Sequence, residues 1–139
     1  MLKNVPKILS PELLKVLCEM GHGDEIVIGD GNFPHESMGQ RVIRADGLGG
    51  SELLDAILKL FPLDTYQENF MLMDVSEGSP RPEIWDEYIR IANENDPNVK
   101  IKMLERFEFY DESRKAYAIV ASGEERIYAN IILKKGIVK

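Results

Sequence analysis

His22 stands between two glycines in the run Gly21-His22-Gly23-Asp24-Glu25. An imidazole has an ordinary pKa near ~6.5, so a positioned one both donates and accepts a proton at neutral pH. The flanking glycines leave room for a ligand. Glycine and histidine after a helix are equally ordinary C-cap chemistry, in which the imidazolium meets the terminal carbonyls, and position alone favours that role. Asp30 opens the run Asp30-Gly31-Asn32-Phe33-Pro34. A carboxylate there either caps the turn or accepts hydrogen bonds from vicinal hydroxyls of a ligand, and the two readings carry nearly equal weight. Tyr128 and Asn130 are two apart in an apolar run, so on a strand they share a face while Ala129 points away. A polar pair on an exposed face has the same spacing. Arg106 lies at the start of a helical pattern, where the dipole disfavours a cation, so a ligand-facing or interface role is more attractive than usual.

Other candidates are weaker. Asp46-Gly47-Leu48-Gly49-Gly50-Ser51 resembles an anion-binding loop but lacks the lysine and spacing of a P-loop, and reads as a turn followed by an N-cap at Ser51. His22, His35 and nearby carboxylates have no metal-ligand spacing, so neither a metal nor a cofactor is expected. Glu124-Glu125 and the stretch 112–115 read as solvated charge runs. Cys18 is the single cysteine, at an apolar position of a predicted helix, and reads as a small buried residue.

The elements that must position these groups follow from periodicity. Ser10-Pro11-Glu12 has the N-cap, N1 proline and first-turn acid of a helix, Leu13, Leu14, Val16, Leu17 and Met20 supply its apolar face, and Gly21 stops it. Ile26, Val27 and Ile28 predict a strand over 25–29 buried on both faces, with Asp30 just past its end. A short strand over 41–45, a helix from Ser51 through Phe61 and a strand over 70–75 follow. Pro80 and Pro82 introduce a helix carrying Ile84, Trp85, Tyr88, Ile89 and Ala92, and a strand over 101–105 and a short helix over 106–114 come next. The runs 117–121 and 128–133 flank a turn and predict a hairpin. The expected fold is therefore α/β, a mostly parallel sheet covered by helices on both faces with a C-terminal antiparallel hairpin, in one domain over 1–139. Ligands of such sheets bind outside the carboxyl ends of the strands, where Asp30 is predicted to lie.

Composition narrows the function classes. With 44% hydrophobic and 29% charged residues the chain has ordinary globular usage. A net charge of -7 repels a phosphate backbone, which argues against nucleic acid as a partner. No window approaches the ~20 apolar residues of a membrane span and no secretory run follows Lys3 and Lys7, so a cytoplasmic location is expected. A lone cysteine agrees with a reducing compartment.

Several separated segments, in order, carry a resemblance: Ser10-Pro11-Glu12-Leu13-Leu14-Lys15-Val16-Leu17, Gly21-His22-Gly23-Asp24-Glu25 with Asp30, Ser37-Met38-Gly39, Arg44-Ala45-Asp46-Gly47, Arg106-Phe107, and Tyr128-Ala129-Asn130 with Lys134-Lys135-Gly136. Together they resemble the fucose mutarotase branch of the ribose pyranase and fucose mutarotase family over essentially the whole chain. The resemblance implies an isomerase that interconverts the anomers of a free monosaccharide, L-fucose first and D-ribose as the alternative. It implies His22 as the catalytic acid/base, with Asp30, Arg106, Tyr128, Ala129 and Asn130 holding the sugar. The ribose branch typically carries a histidine where Arg106-Phe107 stand, which sides with fucose. Two departures, Gly29-Asp30-Gly31-Asn32 in place of an alanine-rich turn and Ala129 in place of glycine, leave the polar groups in position.

Mutarotation asks only for proton transfer at the anomeric hydroxyl and the ring oxygen, which general acid/base groups supply. Phe107, Tyr110 and Trp85 are aromatic surface available to a deoxy methyl group, with Trp85 assigned to the core. If 25–29 is extended, His22 and Asp30 lie on the order of 20 Å apart at ~3.3 Å per residue. The expectation is a site completed across a subunit interface, in agreement with the decamers of stacked pentamers that the resemblance implies. A noncatalytic sugar-binding accessory of uptake is the remaining alternative.

Overall fold

A computed structural model describes residues 1–139. In chain order the elements are α1 (Pro11–Glu19), β1 (Glu25–Gly29), α2 (His35–Met38), β2 (Val42–Ala45), α3 (Gly50–Leu58), β3 (Phe70–Met73), α4 (Glu83–Asn95), β4 (Ile101–Leu104), α5 (Arg106–Lys115), β5 (Ala118–Ser122) and β6 (Ile131–Lys134). Ser10 caps α1 as its residue type suggests, its Oγ accepting from Leu13 N at 3.2 Å, with Pro11 inside the first turn. α2 has only four residues, too few for a hydrophobic period to reveal it.

The six strands form one sheet in the order β2-β5-β1-β6-β3-β4. β1 pairs in parallel with β5, β2 with β5 and β3 with β4, while β6 runs antiparallel to both β1 and β3. The sheet is thus mostly parallel with an antiparallel C-terminal strand. β5 and β6 do not close on each other as the expected hairpin, because β1 lies between them. The physical reason is the apolar content of β1: Ile26, Val27 and Ile28 are fully buried and need a strand on each edge and a layer on each face.

Ile26 and Ile28 point into the larger core with Leu13 and Leu17 of α1, Leu53 and Ile57 of α3, and Trp85 and Tyr88 of α4. Val27 points the other way, with Ile119 and Ile132, toward Phe109 of α5. Each buried aliphatic or aromatic side chain stabilises the fold by roughly 1.5–3 kcal/mol. Cys18 corrects its expectation. It is exposed, because the stripe of Leu13, Val16, Leu17 and Met20 leaves it on the solvent side of α1.

α3 begins two residues earlier than expected, with Gly49 and not Ser51 as N-cap and Ser51 inside the helix. The N–H groups at its start are met by carboxylates, that of Gly49 by Glu52 of the same helix at 2.8 Å and that of Gly50 by Glu124 Oε1 at 3.1 Å. Glu124 is therefore buried and not a solvated charge. Arg126 closes on it through Nε and Nη2 at 3.0 Å, and this pairing holds the Glu124 carboxyl below the usual range.

Candidate active site

Asp30 leaves β1 at its carboxyl end, where the expected site should form, and is only 4% exposed. Both carboxylate oxygens are held by backbone. Asn32 N donates to Oδ1 at 3.0 Å and Ala129 N to Oδ2 at 3.3 Å, while Asp30 N donates to Asn130 Oδ1 at 2.8 Å. Burial pushes this carboxyl up from its usual range and the two N–H donors oppose that rise. Each oxygen keeps a lone pair for a ligand.

The carboxylate faces a cavity of about 260 Å³. Asp30, Asn32, Arg106 and Asn130 are its polar lining residues, Phe33, Met73 and Ile127 its apolar ones, and Tyr110 and Tyr128 complete it. Arg106 is the first residue of α5 and its guanidinium lies 4.7 Å from the centroid of the exposed Phe107 ring. Phe107 stands beside the cavity, not in its lining, and Trp85 is buried behind it.

Tyr128 and Asn130 share the cavity for a reason other than strand alternation. They precede β6, and Tyr128 has a φ of 55°, a left-handed conformation that costs a non-glycine residue on the order of 1–3 kcal/mol. The conformation is held from α4. Trp85 Nε1 donates to the Tyr128 carbonyl at 2.9 Å and Tyr88 Oη to the Ala129 carbonyl at 3.1 Å. Ala129 is fully buried and meets the site through its backbone N–H.

His22 lies at the other end of β1, outside this cavity. The capping role that position favoured is filled by another residue, since Lys135 Nζ donates to the Leu17 carbonyl at 2.8 Å and to the Met20 carbonyl. His22 Nε2 instead stands 3.0 Å from Asp64 Oδ1, with the imidazole 43% exposed and the carboxylate 4%. Burial opposes ionisation of Asp64, yet the His22 bond and the Tyr66 N–H hold it below the usual carboxylate range. A neighbouring carboxylate orients an imidazole and selects its tautomer, which leaves Nδ1 for chemistry. The Tyr66 ring is 5.4 Å from that of His22. Gly23, with a φ of 88°, makes the turn into β1.

The Asp30, Arg106, Tyr128 and Asn130 side chains thus meet at one cavity within a single chain, and His22 does not join them. Trp85 and Tyr88 brace the cavity and Asp64 holds His22, none of them singled out for this by sequence spacing. Asp64 is 42 positions from its partner, and no local pattern connects them.

A family model for the RbsD / FucU transport protein family matches residues 3–138. The chain belongs to this family. It is 48% identical over 145 residues to the fucose mutarotase of Danio rerio, the alignment covering 99% of this chain and 94% of that protein. It is 50% identical over 144 residues to the fucose mutarotase of Mus musculus, covering 97% and 94%. Among solved structures, the fucose mutarotase of Streptococcus pneumoniae in complex with L-fucose superposes with a TM-score of 0.94 at 50% identity, covering 99% of this chain and all of that one. Family membership extends over the whole sheet, so β1 and both groups at its ends lie inside the shared fold.

Proposed function

We propose that this chain is a sugar mutarotase, an isomerase that interconverts the α and β anomers of free L-fucose. The observation that carries the reading is the cavity beside Asp30. A carboxylate fixed by two backbone N–H donors lines it together with the polar side chains of Arg106 and Asn130 and the apolar ones of Phe33, Met73 and Ile127. Vicinal hydroxyls suit the polar groups and a deoxy methyl group suits the apolar ones.

In the reaction a base takes the proton of the anomeric hydroxyl as the bond from C1 to the ring oxygen breaks, and the ring oxygen receives a proton. The open aldehyde turns about the bond between C1 and C2. Closure on the other face reverses both proton transfers, so no proton is gained or lost. His22 is the proposed acid/base and Asp30, Arg106, Tyr128, Ala129 and Asn130 the sugar-holding group, Ala129 through its backbone. Because His22 and Asp30 leave opposite ends of β1, His22 of a second copy serves the cavity. The proposed assembly is a homodecamer of stacked pentamers, each chain one domain over 1–139, located in the cytoplasm.

Exchange NMR on equilibrated L-fucose and, separately, D-ribose tests the reading. Anomeric exchange on fucose that the protein accelerates and His22→Ala abolishes supports it. Acceleration on ribose alone would make the protein a ribose pyranase, and binding without acceleration would make it a noncatalytic accessory of uptake.

A further inference from the structure

His35 has no part in the reading above, yet it sits directly behind the site. It opens α2, is buried, and its Nε2 has no hydrogen-bond partner. The slot it fills exists because residue 29 is glycine: a Cβ there would lie 2.7 Å from His35 Nε2 and 2.9 Å from Phe33 Cβ. The Phe33 ring lies 5.5 Å away, centroid to centroid. Phe33 belongs to the cavity wall and is braced by Phe109 at 5.9 Å and Tyr110 at 5.8 Å. His35 therefore packs against both the end of β1 and an aromatic wall of the cavity. The turn it backs carries the Asn32 N–H that holds Asp30.

Charged groups face the imidazole from the ends of two strands: Asp30 just past β1, Arg44 on β2, and Asp46 just beyond β2. Arg44 is itself tied to Asp46 and to Glu36 of α2. α5 contributes the rings of Phe109 and Tyr110 behind Phe33. Burial is the largest influence and holds His35 below the usual histidine range. Arg44 acts in the same direction, the Gly29 peptide and the Asp30 carboxylate against it. A buried polar nitrogen without a partner is uncommon in native structures and calls for a reason.

We propose that His35 is a positioning residue whose neutral form keeps the Asp30 to Phe33 turn in its sugar-binding shape, so that protonation of His35 and occupancy of the cavity by a monosaccharide oppose each other. The inference rests on the functional reading above and adds control of that same site by protons. An imidazolium in this slot needs water or a counter-charge. Admitting water means opening the wall that Phe33 forms. Turning toward Asp30 occupies the lone pairs that sugar hydroxyls require. Either response removes a sugar contact, and linkage then requires that bound sugar lower the pKa of His35 by the same factor.

The chain has two histidines, so both imidazole resonances can be followed by NMR and assigned with His22→Ala and His35→Gln. Each is titrated from about pH 8 to about pH 5, the span in which histidine changes charge, without and with saturating L-fucose. The expected result is a His35 titration displaced roughly threefold or more in proton affinity by fucose. The Kd for fucose should weaken by a similar factor on acidification, and in His35→Gln it should lose that dependence. An unmoved His35 titration with sugar bound overturns the inference and leaves the functional reading intact. Retention of the wild-type pH dependence in His35→Gln overturns it as well. If fucose perturbs neither Tyr128 nor Asn130, the functional reading falls and this inference with it. Should His35→Gln fail to fold, the wild-type titration alone decides.

Discussion

The Asp64 carboxylate lies 3.0 Å from His22 Nε2 although 42 positions separate the two residues. The pair orders an imidazole that is otherwise open to solvent on a turn. Replacing Asp64 by Asn removes the charge behind that imidazole while keeping its size. Fucose exchange should fall by roughly 10- to 100-fold with little change in the concentration for half-saturation, whereas His22→Ala should lose the ~10² to 10⁴ of a general acid/base group. Equal activity of Asp64→Asn and wild type in exchange NMR would remove Asp64 from the site.

A site shared between copies predicts complementation. His22→Ala and Asp30→Asn are each expected to be inactive alone. Mixed by co-expression at equal levels, they place an intact His22 beside an intact Asp30 in about a quarter of the shared sites, so about a quarter of wild-type activity should return. Both functional groups acting within one chain would give no recovery, and sedimentation of the mixture would show whether mixed assemblies had formed.

Glu25, at the start of β1, gives a stability prediction with a definite sign. Burial, then the neighbouring Glu112 carboxyl, raises its pKa to about 7, and its Oε2 makes no hydrogen bond, with Lys134 Nζ 3.8 Å away. A carboxyl raised in the folded state contributes stability that is fully present below its ordinary range, near ~4.5, and is lost as the pH rises through about 7. Glu112→Gln removes the like charge. Thermal melts should therefore place its Tm above that of wild type near pH 8 and close to it near pH 5. A uniform shift at both pH values would mean that packing, and not charge, governs this pair.

Gly50→Ala tests how the site is braced. A Cβ at position 50 would lie 1.9 Å from Tyr88 Oη, the group that donates to the Ala129 carbonyl. Overpacking of this kind costs typically about 1–3 kcal/mol, which exceeds the roughly 1 kcal/mol that alanine gains over glycine in a helix. The variant should melt lower than wild type and bind fucose more weakly, read by denaturation and by NMR titration. An unchanged melt would show that Tyr88 has room to move aside.

Much of this arrangement was legible before the structure, where short-range physics decides it. Ser10-Pro11 started α1, the β-branched run at 26–28 marked the central strand, and the length of that strand already separated His22 from Asp30. What was not legible depends on contacts distant in sequence. Position alone assigned His22 to the end of α1, because nothing local reveals that Lys135 takes the last carbonyls. The run Glu124-Glu125 looked solvated because the N–H group that Glu124 accepts from belongs to Gly50. Two adjacent apolar runs at the C-terminus suggested a hairpin. Which strand lies between them is a property of the whole sheet.

Trp85 and Tyr88 hold the cavity-lining segment of Tyr128 and Ala129 by its carbonyl oxygens. Every amino acid carries that oxygen, so the anchor is indifferent to which side chains stand at the positions it secures. Selection can therefore alter what the cavity recognises while leaving its frame in place. Variation in sugar preference among relatives is expected to accumulate at the cavity-facing side chains, and Trp85 and Tyr88 should change last.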